Sequence, residues 1–340
     1  MPTTPVRDQR LDSAKGILIG LVVLGHLLEA TSAWHADLIR LPLTMIYMFH
    51  MPAFVFLSGI TAKRDNLLKR VATFTVLLLT FQALYYLAVQ WLPLERDFSA
   101  FMPFWILWFL LGMIWWLLLL PLVMKVPKTA VATSLVIAIA AGAIDVMGYA
   151  FSISRALVFL PFFIIGALYG RQILDFATSI PTKWKVGAAV LCCVLGLILF
   201  STDIHQGWLY GSYSFDRLNA GTAEGLATRA GLLAIAALTT FAVLSLLPQH
   251  QNPATVIGRR SLGIFVLHGF VVLAATPLLP GPLGANNIWA LVACAVIAIV
   301  TVSVLSAPPF DRGVRLYTSK VMQLSARPFQ HDASPVAGRR

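Results

Sequence analysis

Three histidines lie deep inside apolar stretches of the sequence: His26, His50 and His268. An ionisable side chain at membrane depth is costly, so it normally faces a cavity lined by protein and marks a functional pathway. Histidine also has the unperturbed pKa closest to neutrality, which suits it to proton transfer. These residues therefore predict a proton-transfer site buried among membrane helices.

Lys15 and His26 lie eleven residues apart in the first apolar stretch. Eleven residues rotate an α-helix to within about 20° of three full turns, so the two side chains share one helix face. The two side chains are then about 16 Å apart along the axis, with Lys15 at the cytoplasmic mouth. Glu29 lies three residues after His26 and can orient its imidazole; Asp12 has the same spacing from Lys15. We predict that His26 is a general base, Glu29 its partner and Asp12 a cavity residue. The alternatives are an interfacial lysine and a structural His–Glu pair.

The second apolar stretch carries a proline beside its histidine. Pro52 has no N–H to donate to the carbonyl of Met48, so the helix should kink beside His50 and leave an acceptor free. A free carbonyl and an imidazole can line a cavity, and Ser58-Gly59 would let helices pack closely. We therefore predict His50 and Ser58 as cavity residues.

A cluster of basic residues follows this stretch. It consists of Lys63, Arg64, Lys69 and Arg70. Such a cluster can clamp a phosphorylated cytoplasmic ligand, and we predict that Arg64, Lys69 and Arg70 bind this donor ligand together with Lys15. Anchoring of the cytoplasmic membrane face explains the same cluster equally well.

Later in the chain, residues 202–225 combine aromatic and polar side chains, which suits stacking on a sugar. Trp208, Tyr213 and Arg229 are predicted to bind substrate, and an interfacial aromatic belt is the alternative for the aromatic side chains. His268 lies eight residues after Arg260, about 12 Å into the membrane, and is predicted to face the cavity. The three histidines lack the paired spacing of metal motifs, so no metal is expected.

The elements that must position these residues are membrane helices, since 59% of the chain is hydrophobic and 11% is charged. A helix needs about 20 apolar residues to cross a bilayer. The sequence predicts ten such stretches, at 14–31, 42–61, 67–92, 101–122, 129–148, 156–170, 186–201, 226–247, 261–279 and 288–306. We expect an all-α polytopic bundle with a single transmembrane domain at 1–307. Residues 308–340 are predicted to be a basic, disordered cytoplasmic tail.

The net charge of +11 reports topology rather than a nucleic-acid partner. With ten alternating helices, twenty of the 25 lysines and arginines fall on one side, which predicts that both termini are cytoplasmic. The five on the outer side are Arg40, Arg96, Arg155, Arg217 and Arg229. A cleavable signal peptide ending near residue 33 is the alternative for the first stretch.

Five motifs, in order, resemble the acyltransferase 3 family. They are Asp12-x-x-Lys15-Gly16 with Val22-Val23-Leu24-Gly25-His26; Phe49-His50-Met51-Pro52 with Phe56-Leu57-Ser58-Gly59; Trp105-x-x-Trp108-Phe109-Leu110; Leu160-Pro161-Phe162-Phe163-x-x-Gly166; and Gly258-x-x-Ser261-Leu262-x-x-Phe265-x-x-His268. The resemblance covers about residues 8–305 and is closest to the fucose 4-O-acetylase-like and periplasmic-glucan succinyltransferase branch. The chain departs from the family pattern at Lys15, where arginine is frequent, and at Lys69-Arg70, a loose form of a double-arginine motif.

The resemblance implies transfer of an acetyl or succinyl group from cytoplasmic acyl-CoA to a hydroxyl of a sugar or glycan outside the membrane. Acyl-CoA would be a co-substrate, with no tightly bound cofactor. The expected partners are a carbohydrate or glycolipid acceptor and the lipid bilayer, and the expected location is a bacterial cytoplasmic membrane. From the residues alone, a proton-coupled transporter or flippase of sugars or lipids remains the alternative, since the same histidines could relay protons.

Overall fold

The computed structural model describes residues 7–31, 33–92, 102–144, 150–279 and 287–326, and these residues form an all-α bundle without strands. The α-helices are α1 Gln9–Ala30, α2 Asp37–Tyr47, α3 His50–Thr61, α4 Leu67–Trp91, α5 Trp108–Lys125, α6 Pro127–Ala140, α7 Ile153–Ser179, α8 Thr182–Ser201, α9 Gln206–Tyr210, α10 Thr222–Ser245, α11 Pro253–Arg259, α12 Ser261–Ala275, α13 Ile288–Leu305 and α14 Pro308–Ala326. The predicted fold class is confirmed.

Nine helical segments in the described residues are long and apolar enough to cross a membrane, whereas the sequence predicted ten. The difference is the stretch 129–148, because α6 ends at Ala140 after 14 residues, about 21 Å of helix. The chain turns at Gly142, whose backbone lies against the ring of Phe215 and whose carbonyl accepts a hydrogen bond from the Phe215 N–H. This tertiary contact ends the helix early. Residues 145–148 of that stretch lie outside the described part.

The sixth predicted stretch, 156–170, is longer than expected. Helix α7 continues through Pro161 to Ser179. With the two sides named inner and outer according to the predicted topology, the inner end of α7 is held by Arg10 of α1, which donates to Thr178 and pairs with Asp175 at 2.7 Å. Polar contacts of this kind extend a helix beyond the apolar run that hydropathy detects.

The second membrane segment breaks beside His50, as the sequence predicted. Helix α2 ends at Tyr47, and α3 begins at His50 after a non-helical Phe49. Pro52 falls in the first turn of α3, where backbone N–H groups have no partner within the helix. The imidazole Nδ1 of His50 donates at 2.9 Å to the carbonyl of Ile46, which also accepts the backbone N–H of Phe49 at 3.3 Å. The bond of His50 is therefore not to the Met48 carbonyl, which the sequence predicted to be the free acceptor.

Glycines bring helix backbones together at two places in the inner half of the bundle, between α3 and α7 and between α1 and α11. A Cβ on Gly59 of α3 would overlap the carbonyl of Phe163 in α7, and a Cβ on Gly166 would overlap the carbonyl of Phe56. Gly16 of α1 lies equally close to the backbone of α11. Small residues permit such approaches in membranes, so the predicted close packing at Ser58-Gly59 is confirmed.

The segment after residue 307 differs from the predicted disordered tail. Residues 308–326 form α14, and Asp311 and Arg315 form an ion pair within this helix at 2.8 Å. The hydroxyl of Tyr317 lies 2.8 Å from that of Thr80 in α4, and Arg315 donates to the carbonyl of Arg259. These long-range contacts order a segment whose composition is polar. Residues 327–340 of the predicted tail lie outside the described part.

Candidate active site

A cavity of about 230 Å³ lies toward the outer ends of α1, α3 and α7. It is lined by His26, Glu29, Tyr47, His50, Met51, Trp105, Ile106, Trp108, Arg155, Phe159, Leu209 and Tyr210. This cavity therefore brings together three of the residues predicted from the sequence, His26, Glu29 and His50.

His26 and Glu29 form a hydrogen-bonded pair on α1. The imidazole Nδ1 lies 3.1 Å from Oε2 of the carboxylate, and the two side chains are 16% and 18% exposed. A carboxylate only accepts hydrogen bonds, so in the neutral imidazole Nδ1 carries the proton and Nε2 has the lone pair. The pair can therefore act as an oriented base, as predicted from its spacing.

Two tyrosines complete the polar network around this pair. The hydroxyl of Tyr210 donates to Oε1 of Glu29, and the hydroxyl of Tyr47 lies 3.4 Å from Nδ1 of His26. Burial, followed by the negative charge of Glu29, raises the pKa of the Tyr210 phenol well above its usual value. Tyr210 consequently remains protonated and serves as a fixed donor to the carboxylate.

The other two histidines lie on either side of this network. His50 lines the cavity, and its ring meets that of Tyr47 edge-on, with the two ring centroids 4.6 Å apart. His268 is fully buried and stacks on His26, with centroids 5.6 Å apart and planes 18° apart. Its Nδ1 donates to carbonyls of its own helix, so it supports the His26 ring from behind and does not line the cavity. The described residues contain no group of three or more side chains suited to a metal ion.

The remaining wall is aromatic and cationic. The ring of Trp105 contacts that of His26 edge-on at 4.7 Å, and the guanidinium of Arg155 lies 5.2 Å from the ring of Trp108 and 5.9 Å from that of Tyr210. Sequence reasoning assigned no site role to Trp105, Trp108, Arg155, Tyr47 or Phe159. The Trp105-x-x-Trp108 motif was a visible signal, whereas Arg155 was recognisable only as an outer-side cation.

At the inner end, two of the four predicted donor-binding residues converge. Lys15 lies 3.4 Å from the hydroxyl of Thr61, and Arg70 donates to the Thr61 carbonyl at 3.1 Å. Arg64 and Lys69 are exposed on the adjoining turn and helix start. Thr61, at the end of α3, thus connects Lys15 of α1 with Arg70 of α4.

Two predicted cavity residues lie elsewhere. Asp12 is at the inner end of α1, where it pairs with Arg7 at 2.6 Å and Arg259 at 3.3 Å. Arg259 is 247 positions away in the chain, so spacing along α1 could not reveal this partner. Ser58 is buried within α3 and donates to the carbonyl of Phe54, which satisfies its hydroxyl inside its own helix.

Trp208, Tyr213 and Arg229 also lie away from the main cavity. Trp208 and Tyr210 are two positions apart on α9, about 200° around the helix, so only one of them can face the cavity. Tyr210 takes that position, and Trp208 packs on Phe215 on the other side. Arg229 donates to the carbonyls of Trp208 and Tyr213. It thereby ties residues 202–221, the outer segment between α8 and α10, to α10.

Comparison with known proteins places almost the whole chain in one group. The family model described as an acyltransferase domain, that of the acyltransferase 3 family, matches residues 8–307. The matched range contains every helix from α1 to α13 and all the residues of the cavity. No solved structure matches the chain.

Two curated relatives match short parts of the sequence. The nodulation protein NolL of Mesorhizobium japonicum is 49% identical over 55 residues, which is 16% of this chain and 15% of that protein. The NolL of Sinorhizobium fredii is 50% identical over 58 residues, 16% of each chain. The similarity to these proteins therefore spans about one sixth of their length.

Proposed function

Because the chain belongs to the acyltransferase 3 family, we propose that it moves an acyl group from cytoplasmic acyl-CoA to a hydroxyl of a sugar or glycan outside the membrane. The observation that carries the proposal is the His26–Glu29 pair, whose Nδ1–Oε2 bond leaves Nε2 free as a base at a cavity. The nine apolar helices identify an integral membrane protein, and we infer a bacterial cytoplasmic membrane from the predicted topology.

In the proposed reaction His26 takes the proton of the acceptor hydroxyl. As the proton moves to Nε2, the hydroxyl oxygen forms a bond to the thioester carbon, and the carbon–sulfur bond then breaks. The imidazolium returns the proton to the CoA thiolate, which leaves as the thiol. Glu29 stabilises the imidazolium, and Tyr210 fixes the carboxylate. A positioned base of this kind contributes about 10²–10⁴-fold to the rate.

Negative charge develops on the thioester oxygen during the attack. Arg155 lines the same cavity as His26 and is held against the rings of Trp108 and Tyr210. A fixed cation in a site that excludes most water stabilises such an oxyanion strongly. We therefore assign Arg155 to stabilisation of the transition state.

The donor would enter from the inner side, where Lys15 and Arg70 converge on Thr61 and Arg64 and Lys69 are exposed. These cations suit the phosphates of CoA. Helical rise puts His26 about 16 Å beyond Lys15, so an extended donor arm is needed to present the thioester at the base. The acceptor would approach from the outer side, past the segment that contains Tyr210.

The test is direct transfer by the purified protein in proteoliposomes. Radiolabelled acetyl-CoA or succinyl-CoA is supplied on the inner side and a set of glycans on the outer side, and ester-linked label on a glycan is measured. His26→Gln is the matched control, because it keeps a polar side chain but cannot act as a base. Sugar uptake that depends on a proton gradient, with no acyl-CoA consumed, would contradict the enzyme and support the transporter alternative.

A further inference from the structure

Arg229 is a cation buried inside the bundle. It lies seven residues into α10, about 10 Å from the outer end of that helix, and is 1% exposed. Its guanidinium donates to two neutral carbonyls, those of Trp208 at 3.2 Å and Tyr213 at 3.5 Å. Within the described residues no carboxylate pairs with it, and its Nε has no hydrogen-bond partner.

Such an arrangement calls for an anion. Arginine does not lose its proton in proteins, and a buried charge is costly unless an opposite charge compensates it. The two carbonyl oxygens and the ring of Trp208, whose centroid lies 5.2 Å from the guanidinium carbon, offset only part of that cost, because none of them carries a negative charge. Arg10 and Arg40 show the contrast, since each of them has two aspartate partners.

A space for the anion exists next to Arg229. A side cavity of about 30 Å³ is lined by Arg229, Trp208 and Ala236, and it shares Tyr47, Phe159 and Leu209 with the main cavity. One water needs about 10–15 Å³ of such space. The side cavity therefore has room for about two waters, which is comparable to the two oxygens of a carboxylate. The two cavities are therefore adjacent, with the three shared side chains between them.

We propose that Arg229 forms a carboxylate subsite that opens off the catalytic cavity, and that one of the two transfer substrates carries that carboxylate. The proposal rests on the proposed function and specifies its substrate class. The planar guanidinium matches a carboxylate, and Nε faces no competing partner. Two sources supply this chemistry: the far end of a dicarboxylic acyl group, or an acidic acceptor sugar.

The first arm of the test varies the acyl group. Succinyl-CoA is compared with butyryl-CoA, which has the same chain length and no carboxylate, in the wild-type protein and in Arg229→Gln. If the acyl group carries the carboxylate, the wild type prefers succinyl-CoA in kcat/KM by about tenfold or more, as expected for a charge-assisted hydrogen bond. In Arg229→Gln the ratio of the two kcat/KM values falls to about one, whatever the change in overall rate.

The second arm varies the acceptor. Phenyl glucuronide is compared with phenyl glucoside at a fixed donor, and a preference for the glucuronide that Arg229→Gln removes assigns the carboxylate to the acceptor. Arg217→Gln is the control, because it removes an exposed arginine from the same outer segment; it should leave both preferences unchanged. A carboxylate preference that persists in Arg229→Gln, or its absence from both arms in the wild type, overturns the proposal.

A binding measurement separates this proposal from the reaction itself and does not depend on the folding of a variant. Thermal unfolding of the wild-type protein is followed with succinate and with its neutral analogue succinamide. Stabilisation by succinate alone, without any acyl transfer, would support the subsite while contradicting the proposed function. Equal effects of the two compounds would show that Arg229 only supports the outer segment and would overturn the subsite.

Discussion

The two carboxylates of helix α1 lie in opposite environments. Asp12, at the inner end, is paired with two arginines, Arg7 and Arg259. Glu29, near the outer end, bonds to the imidazole of His26 and to a neutral tyrosine hydroxyl, beside an open cavity. One carboxylate is neutralised by fixed cations, and the other retains the capacity to stabilise a charge that appears during a reaction.

Packing follows the same division. The inner halves of α1 and α3 approach α11 and α7 through Gly16 and Gly59, where a Cβ would not fit. The outer halves leave a space of about 230 Å³ walled by aromatic rings. The comparison shows close backbone contacts in the inner halves of these helix pairs and an open, aromatic-walled space in their outer halves, where we place the proposed chemistry.

The largest effect is expected at His26. His26→Gln should lower turnover by about 10²–10⁴-fold, because it removes the proton acceptor while keeping a polar side chain of similar size. Turnover at saturating donor and acceptor is measured, with membrane insertion checked by the yield of folded protein. Near-normal turnover would exclude His26 as the base, and His50, which lines the same cavity, would then be tested.

The comparison of the two carboxylates gives the second prediction. Glu29→Gln should lower turnover by about 10–100-fold, as is typical when the group that orients an imidazole is lost. Asp12→Asn should instead lower the free energy of unfolding by about 1–3 kcal/mol, since it weakens bonds to two arginines, with turnover per folded molecule unchanged. A catalytic loss in Asp12→Asn equal to that in Glu29→Gln would remove the distinction between the two ends.

A smaller effect is expected in the donor site. Arg70→Ala should raise the KM for acyl-CoA by about tenfold, because a charge-assisted bond to phosphate is lost, while acceptor choice stays the same. Arg171→Ala is the control, since it removes an exposed arginine from the same side of the membrane. If both variants gave the same KM as the wild type, Arg70 would not contact the donor.

The smallest effect on the reaction is expected at the glycine contacts. Gly59→Ala should lower the melting temperature, since the added methyl group meets the backbone of α7 and overpacking costs about 1–3 kcal/mol. Gly187→Ala is matched to it, because no atom lies within 4 Å of a Cβ at that position, and it should be neutral or slightly stabilising. An unchanged melting temperature in Gly59→Ala would show that the inner end is not closely packed.

The sequence alone was sufficient for the helical fold and for the His26–Glu29 pair at the centre of the candidate site. Apolar runs long enough to cross a bilayer predict membrane helices directly, and nine of the ten predicted stretches correspond to such helices in the described residues. His26 and Glu29 were identifiable because both lie on one helix, where a spacing of three residues fixes their proximity. The break beside His50 followed from Pro52 for the same local reason.

What only the tertiary structure decided involves partners distant in the chain. The pairing of Asp12 with Arg259, the placement of Tyr210 rather than Trp208 at the cavity, and the burial of Arg229 all depend on how separate helices pack. Helical periodicity fixes which residues of one helix share a face, but it carries no information about the helix that this face will meet. That choice is made by packing across the bundle, which also sets the length of α6 and orders α14.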